Sequence, residues 1–184
     1  MCINRTRQCG VSLIELIMFI VIVSTALAGI VSVMNVTTRN SADPLVHKQA
    51  LAIAESLLEE VELMPFTFCD PDDPAAGAAT GVGDCAVPEG LGVENDVSRY
   101  DAALPFDNVS DYNGFAMAAG ATRDITDTNT GIAGYAAAVA VVPVAMVGVA
   151  AGDALQITVT VTGPDAVPVT VTGIRTRYAP RALP

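Results

Sequence analysis

One acidic residue, Glu15, lies near the start of a strongly apolar stretch, residues 9–23, which read CGVSLIELIMFIVIV. A carboxylate in hydrocarbon is costly, roughly 2.5–3.5 kcal/mol on insertion scales for a central aspartate. An acid is tolerated at such a position when a positive partner offsets its charge. The chemistry that Glu15 indicates is therefore charge pairing. An acid that merely snorkels to the membrane interface is the alternative.

The other reactive residues do not form a catalytic pattern. The only histidine, His47, falls on a predicted membrane-proximal helix, and the chain has neither a G-x-S-x-G motif nor a phosphate-binding loop. Nucleophilic catalysis usually needs a base beside the nucleophile. We therefore do not expect an enzyme.

Aspartates cluster in two stretches, CDPDDP at 69–74 and FDNVSDYNG at 106–114. Calcium binds such oxygen clusters, but neither stretch has the twelve-residue loop pattern that ends in Glu. Aspartate also forms turns with its own backbone, so we predict turns here, with no metal site and no cofactor. The residues concerned are Asp70, Asp72, Asp73, Asp107 and Asp111.

Charge is distributed unevenly along the chain. The 184 residues include 9 basic and 20 acidic side chains, for a net charge of −11. Nucleic-acid phosphates need clustered Lys and Arg, so no nucleic-acid partner is expected. Arg5 and Arg7 precede the apolar stretch, and no charged side chain occurs from Leu16 to Thr38.

That uncharged stretch is long enough to span a membrane. A helix over residues 16–38 would be about 34 Å long. Basic residues before a first span keep the N-terminus in the cytoplasm, which predicts a single-pass protein with an exported C-terminal part. A cleaved signal peptide is the alternative, with Ala26-Leu27-Ala28 as its cleavage site, but its apolar region would be shorter.

The same stretch resembles the N-terminus of type IV prepilins. In that family a short basic leader ends in Gly, and a hydrophobic residue, T/S-L-I-E and an apolar helix follow. Here these positions are Gly10, Val11 and residues 12–15, with Val11 in place of the usual Phe or Met. The resemblance implies that residues 1–10 are a leader. It also implies that a prepilin peptidase cleaves between Gly10 and Val11 and methylates the new amine of Val11.

Glu15 gains a role from this resemblance. Cleavage places the Val11 amine one helical turn from Glu15, on the same helix face. In a filament, by resemblance to pilins, Glu15 is expected to face the amine of a neighbouring subunit and so to direct assembly.

Three further segments resemble the minor pilin-like subunits of the mannose-sensitive haemagglutinin pilus system. They are ADPLVHKQALAIAESLLEEVELMPF at 42–66, FDNVSDYNGF at 106–115 and VTVTGIRTRYAP at 169–180. The resemblance implies an inner-membrane subunit with a periplasmic domain, which becomes part of an extracellular pilus if the filament leaves the cell. The implied partners are other pilins, the assembly platform and membrane lipid. A minor pseudopilin of a type II secretion system is the alternative.

Two cysteines, Cys69 and Cys85, remain if the leader with Cys2 and Cys9 is removed. In an exported domain two such cysteines most simply pair. A zinc site is the weaker interpretation, because two thiolates without a nearby histidine leave zinc short of ligands. We therefore predict a Cys69–Cys85 disulfide.

The sequence predicts one long helix over residues 11–64, with a transmembrane half at 11–40 and an amphipathic half at 41–64. Asp43 and Pro44 at the join suit either a cap between two helices or a kink in one, and we favour the kink. Apolar residues recur at helical spacing in the second half, and acids recur on another face. The apolar stripe is Ile53, Leu57, Val61 and Met64, and the acids are Glu55, Glu59 and Glu62. These acids are expected to be solvated, or to meet basic residues of a neighbouring subunit.

A globular domain is predicted over residues 65–184. Residues 66–114 are rich in Gly, Pro, Asp and Asn, which indicates a long irregular region. Residues 134–178 contain alternating runs, and GPDAVP separates the last two, which predicts an antiparallel hairpin. The amphipathic helix would cover the apolar face of this sheet, giving an α+β, pilin-like fold. Arg175 and Arg177 share one strand face and, with Arg181, are expected to be solvated near an edge, or to dock on acids of a neighbour.

Overall fold

The computed structural model describes Gly10, residues 12–129 and residues 132–181. For residues 36–43 it describes the backbone alone. Residues 1–9 of the predicted leader and Val11, the predicted methylation site, lie outside the described residues. The chain is α+β, with an N-terminal helix followed by a four-stranded antiparallel sheet. It divides into two compact units between Pro44 and Leu45.

Helix α1 spans Leu13–Leu63 and contains Pro44. Asp43 and Pro44 therefore do not cap a second helix, which excludes one of the two alternatives for this position. The helix ends before Pro65, where the amide of Met64 still donates to the carbonyl of Val61 at 3.2 Å. The residue before a proline avoids the helical region, so Pro65 fixes this end.

The sheet belongs to the second unit. Its strands are β1 (Ala116–Met117), β2 (Ala136–Pro143), β3 (Ala154–Thr162) and β4 (Pro168–Thr176), in the order β1-β2-β3-β4. The hairpin of β3 and β4 pairs from Ala154↔Thr176 to Thr162↔Pro168 without a bulge. Its turn contains the Gly-Pro-Asp sequence that predicted it, and β4 forms one edge of the sheet.

The core lies between α1 and the inner face of the sheet. Helix residues Ala50, Ala54, Leu57 and Val61 are buried, as are alternate residues of the strands. Those strand residues are Ala137, Val139, Val141, Leu155, Ile157, Val159, Val161 and Val169. Two members of the predicted stripe, Ile53 and Met64, are only partly buried. Ala50 and Ala54 are buried instead, together with Leu57 and Val61. The buried face of the helix therefore differs slightly from the predicted stripe, which was chosen from the larger apolar side chains.

Residues 64–115 connect the helix to the sheet with turns and two short 3₁₀ helices, Val82–Asp84 and Ser110–Tyr112. The predicted disulfide is present, with Cys69 and Cys85 joined at an S–S distance of 2.02 Å. It closes a small separate cluster that buries Ala76 and Ala79. An isolated bridge between Cys69 and Pro88 adds a backbone tie. The irregular region is therefore ordered by a disulfide, by polar contacts and by the burial of Phe66, Val109 and Tyr112 in the main core, rather than by regular elements.

Candidate functional site

The first candidate site is the N-terminal end of α1. Ser12 precedes the helix, and its Oγ accepts a hydrogen bond from the amide of Glu15 at 3.3 Å. Ser at the N-cap with Glu three residues later is the sequence of a capping box. Glu15 therefore lies where an acid also favours the helix dipole. Sequence reasoning missed this local role, although the S-x-x-E spacing signals it.

The apolar segment that follows is exposed throughout. Residues Leu13–Asn35 have a mean hydropathy of 2.7, and none of them is buried within the chain. Leu16, Phe19 and Ile20 are each at least half exposed. Soluble proteins rarely expose apolar patches of more than a few hundred Å². By length and composition, this one described helix is able to cross a membrane.

A buried ion pair fixes the second half of α1 to the irregular region. Arg99 has a side chain only 3% exposed and binds both carboxylate oxygens of Glu60, with Nε at 2.5 Å from Oε1. Tyr112 also donates to Glu60, at 2.8 Å. Burial alone would lower the pKa of Arg99, but the hydrogen bonds and charge of Glu60 raise it. The guanidinium is therefore permanently charged.

The remaining donors of Arg99 extend this network. Nη1 binds Tyr100 Oη at 2.7 Å and the carbonyl of Arg123 at 3.2 Å. The guanidinium also lies 5.5 Å from the ring centre of Phe115. A mostly apolar groove of about 360 Å³ borders the pair, between α1 and the side chains of Met117, Ile125 and Ile132. Arg99 thus joins the helix to two separate loops.

The predicted turn aspartates come together with other acids in the irregular region. Carboxylate oxygens approach within 4.8 Å in three sets. The sets are Asp70 with Asp72 and Asp107, Glu89 with Glu94 and Asp111, and Asp96 with Asp107 and Asp111. Sequence reasoning did not bring in Glu89, Glu94 or Asp96, because their sequence distance from the aspartates hides the contact.

Three of the five predicted aspartates, Asp70, Asp73 and Asp111, also serve as turn residues, as the sequence predicted. Asp70 accepts from the amide of Asp72, and Asp73 accepts from the amides of Ala75 and Val87. Asp111 accepts from the amides of Asp107 and Asn108 at 3.0 and 2.7 Å. Oxygen ligands of this kind suit a hard cation, and backbone amides already bind the carboxylates of Asp70, Asp73 and Asp111.

Burial and mutual repulsion raise the pKa of several of these acids. Burial and then the charge of Asp96 raise the pKa of Asp107 to about 7. Burial raises the pKa of Glu89 to about 8, with a smaller contribution from Glu94. Burial and Glu89 raise that of Asp111 to about 9. At neutral pH this cluster therefore holds protons that isolated carboxylates would release.

Two of the C-terminal arginines, Arg175 and Arg177, are partly buried rather than solvated, which corrects the sequence expectation for them, whereas Arg181 is exposed as expected. Arg177 pairs with Asp153 at 3.0 Å and lies over the rings of Phe66 and Phe68, 4.0 and 4.5 Å from their centres. Arg175 donates to the carbonyl of Met64 at 3.1 Å, just beyond the end of α1. Arg181 donates to the carbonyl of Ala79. The side chains of Arg175 and Arg177 turn inwards, where a carbonyl, an acid and aromatic faces contact their guanidinium groups.

Other sequence candidates lie apart from these sites. His47 is exposed on α1, and so are Glu55 and Glu59. Glu62 is partly buried and its carboxylate lies against Gly173 of β4.

Comparison of the chain with known protein families, with characterised proteins and with solved structures gives no significant match.

Proposed function

We propose that this chain is a minor pilin-like subunit, anchored in the bacterial inner membrane by the first part of α1. It assembles with other pilins into a type IV pilus of the mannose-sensitive haemagglutinin kind. Its further partners are a prepilin peptidase that methylates the new N-terminus, the inner-membrane assembly platform and membrane lipid. The subunit is a structural component and the periplasm holds its second unit.

The observation that carries the proposal is the exposed apolar helix Leu13–Asn35, with Gly10 before it and Glu15 in its first turn. Such a surface needs lipid or the helices of other subunits around it. Ser24, Ala28, Gly29 and Ser32 provide small residues for close helix packing. The same helix continues into the core of the second unit. One element therefore serves as anchor, assembly surface and scaffold.

N-terminal sequencing of the membrane-extracted protein tests the proposed processing. We expect the mature chain to begin at a methylated Val11. Replacing Gly10 by Leu puts a bulky side chain at the scissile bond and should leave the start at Met1. A wild-type start at Met1, or after Ala26, would contradict the proposal.

A second experiment separates an assembly role of Glu15 from its role at the helix start. Glu15→Gln keeps an oxygen that suits a capping box but removes the charge. We expect it to insert into the membrane normally and to lose crosslinks to partner pilins. Ser12→Ala removes the cap bond, worth about 1 kcal/mol, and keeps the charge, so it should retain those crosslinks.

Two outcomes would count against the assembly role. The first is full incorporation of Glu15→Gln at matched membrane levels. The second is an equal defect in Ser12→Ala, which would assign Glu15 to capping alone. Mass spectrometry of the crosslinked partners also separates a pilus subunit from a type II secretion pseudopilin, because the two proposals require different neighbouring pilins.

A further inference from the structure

We propose that the free edge of β4 pairs with β4 of a second copy of this chain, antiparallel and about a two-fold axis at Thr172. The proposal concerns the second unit and does not rest on the proposed function. It starts from the backbone groups that the sheet leaves open at this edge.

The hydrogen-bond register shows which residues of β4 face outwards. The amide of Arg177 donates to the carbonyl of Asp153 at 2.9 Å, which makes these two a hydrogen-bonded pair. Such pairs recur at every second residue, so the odd-numbered residues of β4 bond to β3. The even-numbered residues from Pro168 to Thr176 therefore point their backbone groups at the free edge. Within the described residues, no group accepts from the amides of Thr170, Thr172 or Ile174.

This edge lacks the usual protection against pairing. Proteins commonly guard edges with charged side chains, bulges or interior prolines. Here Thr170, Thr172 and Ile174 are exposed and uncharged, and the hairpin has no bulge. The only nearby cation on the strand, Arg175, points to the inner face and binds Met64. In a chain with net charge −11, the outward-facing side chains Thr170, Thr172 and Ile174 bring no charge to this edge.

One register matches the two edges along the whole strand. With Thr172 opposite itself, Thr170 lies opposite Ile174 of the other copy, and Pro168 lies opposite Thr176. Pro168 has no amide hydrogen to donate, but the carbonyl of Thr176 already accepts from the amide of Tyr178 at 2.9 Å. The carbonyl that receives no hydrogen bond from Pro168 of the other copy is therefore that of Thr176, which already accepts one within its own chain.

The neighbouring registers are less favourable. A shift that places Gly173 opposite itself brings together the two Glu62 carboxylates, because Glu62 lies against Gly173 in each copy. The opposite shift places Pro168 opposite Ile174, whose carbonyl then has no donor. An orphaned backbone group and paired like charges both disfavour association.

Cysteine crosslinking of the full chain tests this register. In a Cys2→Ser, Cys9→Ser background, Thr172→Cys should form a disulfide-linked dimer under mild oxidation. Directly opposite residues in such a pair have Cα atoms about 5.5 Å apart, within disulfide range. Thr170→Cys and Ile174→Cys, co-expressed on differently tagged copies, should also link to each other.

Two matched controls use the same residue type on the same sheet face. Thr158 pairs with Thr172 within the hairpin, and two copies of Thr158 would lie about 14 Å apart, three strand spacings. Two copies of Thr170 would also lie about 14 Å apart along the strands. Thr158→Cys and Thr170→Cys alone should crosslink at least about tenfold more slowly, since both distances exceed disulfide reach.

The outcomes are decisive in either direction. Selective linkage of Thr172→Cys supports the paired edge and its register. Absence of a Thr172→Cys dimer overturns the proposal, provided that peptide mapping shows the native Cys69–Cys85 bridge intact. Equal linkage at all three positions overturns it as well, because that result reports random collision.

Discussion

Arg99 is the residue on which two loops and the helix depend. Its guanidinium is buried against Glu60, Tyr100 and the carbonyl of Arg123. Removing one partner of a buried ion pair leaves an uncompensated charge, which is far more damaging than losing the pair's net stabilisation. The pair therefore makes the fold sensitive at a residue of the irregular region.

We predict that Arg99→Ala lowers the free energy of unfolding by about 3–5 kcal/mol. Arg123→Ala is the matched control, because Arg123 pairs with Asp127 through side chains that are 43% and 50% exposed. An exposed pair contributes about 0–1 kcal/mol. Denaturant unfolding in detergent, followed by tyrosine fluorescence, measures both. Equal effects of the two substitutions would show that burial of Arg99 adds nothing.

Some residue-scale features were readable from the sequence and others were not. The disulfide followed from two cysteines in a chain that the sequence predicts to be exported, and the acid turns followed from local chemistry. Glu60 falls at helical spacing from Leu57 and Met64 and so interrupts the apolar stripe, which was an available signal for a buried charge. Nothing in the sequence identified Arg99 as its partner, since 39 residues separate them. The inward orientation of Arg177 likewise depends on Phe66 and Phe68, whose rings are close in space but far away in the sequence.

At the scale of elements, the loop between Cys69 and Cys85 depends on its crosslink. Cys69 and Cys85 lie 16 residues apart, and the cluster that they close buries little more than Ala76 and Ala79. Burial of so small a core is too weak to offset the conformational entropy that the loop loses on folding. The disulfide reduces that loss because it restricts the conformations of the unfolded chain.

We predict that replacing Cys69 and Cys85 together by Ala lowers the free energy of unfolding by about 3 kcal/mol. Hydrogen exchange should show lost protection at the amides of Ala76 and Ala79, which donate to Asp73 and Ala75. The amides of β3 should keep their order of protection. Unchanged exchange around Ala76 would mean that polar contacts alone hold this loop.

Regular elements with strong periodicity were predictable, whereas short ones were not. Strands β2, β3 and β4 follow the alternation of residues 134–178, and α1 follows the apolar spacing and Pro65. Strand β1 has two residues, Ala116 and Met117, and exists only because β2 offers an edge for pairing. Its tertiary origin leaves no local pattern in the sequence.

At the scale of the whole molecule, buried acids set the dependence of stability on pH. The folded state raises the pKa of Asp107, Glu89 and Asp111 to about 7, 8 and 9. Unfolded carboxylates titrate near 4. Between these values the folded chain binds more protons than the unfolded chain, so stability falls as pH rises. Below about pH 4 these groups are protonated in both states and contribute no dependence.

We predict a lower melting temperature at pH 8.5 than at pH 5.5. Asp111→Asn should reduce this difference, because asparagine keeps an acceptor for the amide of Asn108 without the charge. Asp101→Asn is the control, since backbone hydrogen bonds from Ala103 and Leu104 lower the pKa of Asp101. Melting temperatures that rise from pH 5.5 to pH 8.5 would show that burial does not hold these protons.

The order of synthesis gives the contact between Arg175 and Met64 a further consequence. The two residues are 111 positions apart, so the ribosome completes α1 long before it makes the strand that ties the helix end to the sheet. Until β3 and β4 emerge, Leu57 and Val61 lack their cover, and closure comes late because it waits for distant contacts. A chain whose synthesis stops before β4 leaves these two apolar side chains exposed to water. Chaperones and proteases act on such chains, so the chains that persist are those that carry β4.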